Sequence, residues 1–137
     1  MNTLGFFSCA LVLSGIAACT TMPVLDAPPA SDFSPLSIPD RTFAAEDRVI
    51  AHYVPAPTAK ESKDEVRITR EIGRDGTGSG THIILVTAEG YADDSVSGEQ
   101  WRIVLDDVGS DYRVVEAGVR YQCARRANPG WSKSPCP

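Results

Sequence analysis

The chain has 137 residues, a formal charge of −5, 42% apolar and 23% charged residues. That is enough for one small domain, and the acidic balance argues against nucleic-acid binding and electrostatic membrane attachment, which both draw on clustered Lys and Arg. None of the first 25 residues is charged, so the whole charge belongs to residues 26–137.

The apolar run Gly5 to Ala18 has the length of a secretory signal, roughly 7 to 15 residues closed by small side chains. It is short of the ~20 apolar residues that span a bilayer permanently, and Ser8, Ser14 and Gly15 interrupt it. Its last four positions, Ile16-Ala17-Ala18-Cys19, present a branched aliphatic residue, two small residues and a cysteine. They resemble the lipobox of bacterial lipoproteins. The resemblance implies that residues 1–18 are a signal peptide, that the Cys19 thiol takes a diacylglyceryl group, and that Cys19 becomes the first residue of a mature chain with a fatty acyl group such as palmitate on its amine. Each buried methylene contributes about 0.8 kcal/mol and one chain alone holds marginally, so two or three chains make a stable anchor. Thr20, in place of an Asp that would retain the protein in the inner membrane, implies a lipid anchor in the outer membrane facing the periplasm. The expected partner of Cys19 is therefore the membrane itself.

The mature chain would be 119 residues, the 137 less the first 18. Of the four cysteines, Cys9 leaves with the signal and Cys19 takes lipid, so Cys123 and Cys136 remain as a pair. In an oxidising compartment such a pair forms a disulfide, and closing a loop of this size stabilises a fold by about 3 kcal/mol. No Cys-x-x-Cys and no neighbouring His suggests redox or zinc chemistry.

Residues 19–39 read as the lipidated cysteine and a tether. Thr20 to Pro39 holds Pro23, Pro28, Pro29, Pro35 and Pro39 and neither Lys nor Arg, a composition that favours extended polyproline II. At ~3.1 Å per residue it would hold the domain some 60 Å from the membrane. Without Pro-x-x-Pro beside a basic residue it does not read as a recognition motif.

Residues 40–137 form the expected single periplasmic domain. Phe43, Ile50, Tyr53 and Val54 share one face of a helix predicted over Asp40 to Val54, with Pro39-Asp40 as its cap and Pro55 as its stop. His52 lies in the last turn, where the dipole favours an imidazolium. After the charged loop to Glu65, Val66, Ile68 and Ile72 alternate with Arg67, Thr69 and Glu71 as a half-buried strand does. Gly73 to Gly80 reads as a turn, lacking the spacing of a phosphate or dinucleotide loop. Ile83, Ile84, Leu85 and Val86 are apolar in sequence, so a strand over Thr81 to Ala88 must be covered on both faces. His82 stands at its mouth with no second ligand in local spacing. Asp93 and Asp94 fall in a turn cluster without the ligand spacing of a calcium loop. Trp101, Ile103 and Leu105 place another strand over Gln100 to Leu105, a turn follows at Asp106 to Asp111, and the last strand runs from Tyr112 to Cys123. Its Val115, Ala117, Val119, Tyr121 and Cys123 share a face unless a bulge falls at Gly118.

The predicted fold is α+β: an N-terminal helix on a curved antiparallel sheet of about four strands in meander order, with a disulfide-closed C-terminal tail. This arrangement is similar to cystatin-like or NTF2-like domains, an analogy of fold that assigns no function. Arg125, Arg126 and Trp131 in the tail are the candidate partner-binding residues, since Trp and Arg are enriched at binding surfaces. They suit an anionic polysaccharide or an envelope protein.

No nucleophile, base and orienting acid occur together in a motif, so the sequence suggests no catalytic residues, no cofactor and no metal. The expected function is a non-enzymatic binding or envelope-maintenance module anchored by lipid. Two alternatives are an inhibitor that presents the C-terminal loop to an envelope hydrolase, and a small enzyme or ligand-binding domain with a pocket in the concave sheet face around His82.

Overall fold

The computed structural model describes residues 22–55, 66–76, 81–92, 95–124 and 130–137. In chain order its elements are β1 (Val24–Leu25), a 3-10 turn (Ala30–Asp32), β2 (Ser34–Pro35), β3 (Thr42–Phe43), α1 (Glu46–Tyr53), β4 (Arg67–Asp75), β5 (His82–Glu89), β6 (Val96–Val108), β7 (Asp111–Cys123) and β8 (Trp131–Ser132). The four long strands form the expected antiparallel meander β4-β5-β6-β7. Four short strands raise the count to eight and finish the edges of a curled half-barrel. Strand β1 runs parallel to the end of β4, and β8, β2 and β3 pair antiparallel with successive stretches of β7.

Alternation along the strands sorts the core. Ile72, Ile84, Ile103 and Ala117 are cross-strand neighbours, as are Arg70, Val86, Trp101 and Val119 one step along the same face. On this face α1 seats Val49 and Ile50, and Phe43 joins them, forming one buried apolar cluster. The opposite face carries Ile83, Leu85 and Val104, also buried. The apolar run in β5 is thus covered on both sides, as its composition requires.

The cover of the second face comes from residues read as a tether. Residues 22–39 do not form an extended spacer: β1 is hydrogen-bonded beyond β4 at one edge and β2 beyond β7 at the other, so the chain between them crosses the sheet as a strap. Phe33, 3% exposed, is pressed into it above Gly118. A proline-rich segment forms few hydrogen bonds of its own, but two short pairings and one buried aromatic ring suffice to fix it. Pro35 stays compatible because it lies in an edge strand, and Pro29 because it caps the 3-10 turn, positions that need no N–H donor.

Three expectations shift in detail. The helix starts at Glu46 rather than Asp40, because Thr42 and Phe43 are committed to pairing with Arg113 and Tyr112. Ala45 caps it without a side-chain bond, leaving Glu46 and Asp47 to complement the helix dipole. Strand β4 runs on through Gly73 to Asp75, since Arg74 N–H donates to the Pro23 carbonyl just before β1. A side chain at Gly73 would bring its Cβ 2.6 Å from that oxygen, so the glycine permits close approach rather than a turn. The bulge of β7 lies at Val115, between the pairs Val104 with Glu116 and Leu105 with Val114, and not at Gly118. Val115 is accordingly displaced to the surface, 40% exposed.

Candidate functional site

The disulfide and the strap converge on one residue of the second face. Cys123 ends β7 buried and is bonded to Cys136, with 5.4 Å between Cα atoms. The bond brings the tail back so that Trp131 and Ser132 pair with Gln122 and Tyr121. Trp131 then stacks on the Arg120 guanidinium at 4.9 Å, and Phe33 lies against the same group, also at 4.9 Å. Arg120 Nε donates to Gln100 Oε1 at 2.8 Å, Gln100 Nε2 donates to Thr87 Oγ1 at 2.7 Å, and Asp32 stands 3.7 Å from the Arg120 charge. Burial lowers the Arg120 pKa, with Asp32 opposing the shift. The arrangement locks strap, sheet and tail together through one planar cation, a role for which guanidinium is better suited than ammonium.

Of the tail residues, Trp131 is therefore packed rather than held out. Arg125 and Arg126 lie outside the described residues, as do Cys19 with the whole lipobox and the turn residues Asp93 and Asp94. Among the described residues no cluster of His, Cys, Asp and Glu is arranged to hold a metal ion.

The concave face does not offer the pocket imagined around His82. It is filled by Ile84, Val86, Ile103 and Leu105 beneath Val49, Ile50 and Phe43. His82 itself is 6% exposed. Its Nε2 stands 2.8 Å from Glu46 Oε1 but off the line of a hydrogen bond, and its ring meets Tyr112 edge-on at 5.5 Å. A strand-end histidine thus ties the start of α1 to the sheet.

Helix α1 leaves an open groove on each side. Towards β4 lies one of about 480 Å³ lined by Ile50, Val54, Pro55 and Ile68 and crossed by the Arg70 to Asp47 ion pair. Towards β3 lies one of about 450 Å³ around Arg41, Phe43, Arg48 and His52. His52 is exposed in the last helical turn as expected, with Phe43 at 5.7 Å and Tyr53 at 4.8 Å between ring centroids. Arg41 donates to its Nδ1 at 3.3 Å and lies over the Phe43 ring.

Arg120, Gln100 and Phe33 were not singled out from the sequence. Arg120 and Gln100 occupy the polar phase of their strands, which period-two reading assigns to solvent. The signal present was Phe33 itself, a lone aromatic in a proline-rich segment. No family model, curated protein or solved structure matches the chain.

Proposed function

We propose that this protein is a lipid-anchored module of the bacterial cell envelope, held by Cys19 and acting by binding rather than by catalysis. The observation that carries the reading is the Cys123 to Cys136 bond. A disulfide in a small domain fits an oxidising compartment, and setting that pair aside leaves Cys19, at the end of its lipobox, for acylation. The one-helix, curled-sheet architecture accords with the cystatin-like analogy at the level of layers.

The strap alters where such a module would sit. Pairing begins at Val24, so five residue steps separate it from Cys19, at most about 18 Å when fully extended. The domain would lie against the outer membrane, not some 60 Å away as a free proline tether would hold it. Cell fractionation tests the anchor: the wild-type chain should pellet with outer membranes and Cys19→Ala should not. Crosslinking of the anchored protein in intact cells would then identify the envelope partner.

The inhibitor reading keeps one favouring observation: Cys123 and Trp131, which flank residues 124–130, are tied down by the disulfide and by the Arg120 stack. Activity of envelope hydrolases in the presence and absence of the protein would decide it.

A further inference from the structure

Of the eight described arginines, Arg74 is engaged beside β1 and the other seven divide by partner. Arg67, Arg70, Arg102 and Arg120 each meet a carboxylate, respectively Glu89, Asp47, Glu116 and Asp32. Arg41, Arg48 and Arg113 meet none among the described residues, and all three lie on the β3 side of α1. In a chain of net charge −5, unpaired cations gathered at one place are not explained by solvation of a mixed surface.

Their surroundings form a receptacle. The groove between β3 and α1 is lined by Arg41, Arg48 and His52 with Thr42, Phe43, Ala44 and Ala51, and among the described residues no carboxylate lines it. A second recess of about 510 Å³ adjoins it across Arg41 and is lined by Arg113 and Thr42, with Asp40 its one acidic residue. The acid nearest by bonding, Asp111, is engaged by the Thr42 and Ser110 hydroxyls.

The groups are also oriented. Arg41 is held over the Phe43 ring at 4.7 Å, and Phe43 is fixed in the core at 5% exposed. Its remaining guanidinium edge is free to donate. A guanidinium only donates, so His52 Nδ1 is the acceptor where the two share a hydrogen bond. Two guanidinium forks and an imidazole around one groove with no carboxylate among its described lining residues suit a carboxylate or phosphate group.

We propose that the groove between β3 and α1 is an oxyanion-binding site, taking the carboxylate or phosphate groups of an anionic envelope polymer. The site stands on described residues, whereas the envelope origin of its polymer rests on the lipid-anchor reading; loss of oxyanion binding would leave the Cys19 reading untouched. Neighbouring Arg113 lets a polymer extend into the second recess, which gives a repeating anion an advantage over a single one.

The test is titration of the isotope-labelled full chain, in detergent, with inorganic phosphate, with a hexameric oligouronate and with a neutral hexasaccharide, followed by amide shifts in two-dimensional NMR. Either anion should move the amides of residues 41–44 and 48–52, and the neutral sugar should not. Tighter binding of the oligouronate than of phosphate would assign a polymer, and equal affinity a simple oxyanion. Arg41→Gln and Arg48→Gln should each weaken binding about tenfold, the scale of one charge-assisted hydrogen bond, with the remaining spectrum unchanged. Lys133→Gln, beyond β8 at the opposite end of β7, should have no effect. Binding of the neutral sugar equal to that of the uronate, wild-type affinity in both glutamine variants, or no shift up to roughly 10 mM of either anion, weaker than the millimolar range, would each overturn the site.

Discussion

Arg120 is the residue through which three separate parts of the chain are joined. Its side chain, 11% exposed, is flanked by Phe33 from the strap and Trp131 from the tail and bonded to Gln100 of β6. Arg120→Ala leaves the Gln100 oxygen without its donor and two rings without their partner, and should cost about 1–3 kcal/mol in urea unfolding. Arg120→Lys keeps the charge but not the planar surface, and should recover less than half of that loss, with Trp131 emission shifting red in both variants. Two tyrosines give the residue scale a pH signature. Burial raises the pKa of Tyr53, and burial with the nearby Glu99 charge raises that of Tyr121. A phenol that holds its proton more tightly when folded contributes stability below the ordinary value of 10.0 and loses it as pH climbs through the raised one. Absorbance titration should show late-ionising phenol whose amplitude falls in Tyr53→Phe and in Tyr121→Phe. None of these roles was legible in sequence: Arg120 and Gln100 sit at outward positions of a half-buried strand pattern, and only a segment returning over that face makes them interior.

Among the elements, the meander was the most legible part and the strap the least. Strands β4 to β7 could be placed because Ile84, Trp101 and Ile103 recur in phase with the pleat, and their neighbours on the opposite face form a consecutive apolar run only in β5. That exception, Ile83 and Leu85, already demanded a second cover, and the proline-rich segment supplies it. Composition favours polyproline II for such a segment, but a free spacer would leave Phe33 and the second face wet. Gly118 reports the seating of the strap: a Cβ there would meet Phe33 Cβ at 2.7 Å and the Ser34 carbonyl at 3.1 Å. Gly118→Ala should therefore destabilise by about 1–3 kcal/mol through overpacking, and Phe33→Ala by about 3–5 kcal/mol through the cavity left, each measured by denaturant midpoint at unchanged slope. The helix was located to within its last two turns by Ile50 and Tyr53, whereas its start was misplaced because Phe43 shares both the helical phase and a strand position. For the tail, reduction of the Cys123 to Cys136 bond, separated by 13 residues, should lower stability by about 3 kcal/mol and release Trp131 from Arg120.

At the scale of the molecule, one curled sheet carries a helix on one face and a strap on the other, and both edges are closed by short strands. Pairing of the strap begins five residue steps after Cys19 in sequence, so the proposed anchor would hold the folded domain close to the membrane. The cation groove beside β3 was not legible, since Arg41, Arg48 and Arg113 are scattered in sequence and are assembled by the pairing of β3 with β7. The tail is expected as the binding surface on the strength of Arg125, Arg126 and Trp131; the Trp131 ring is stacked on Arg120, and the two arginines lie outside the described residues. The central claim is that Cys19 carries the lipid that holds this domain at the envelope. Growth of cells expressing the full chain with a labelled fatty acid tests it most directly: label should co-migrate with the wild-type protein and be absent from Cys19→Ala. Equal labelling of the two, or none in the wild type, would contradict it.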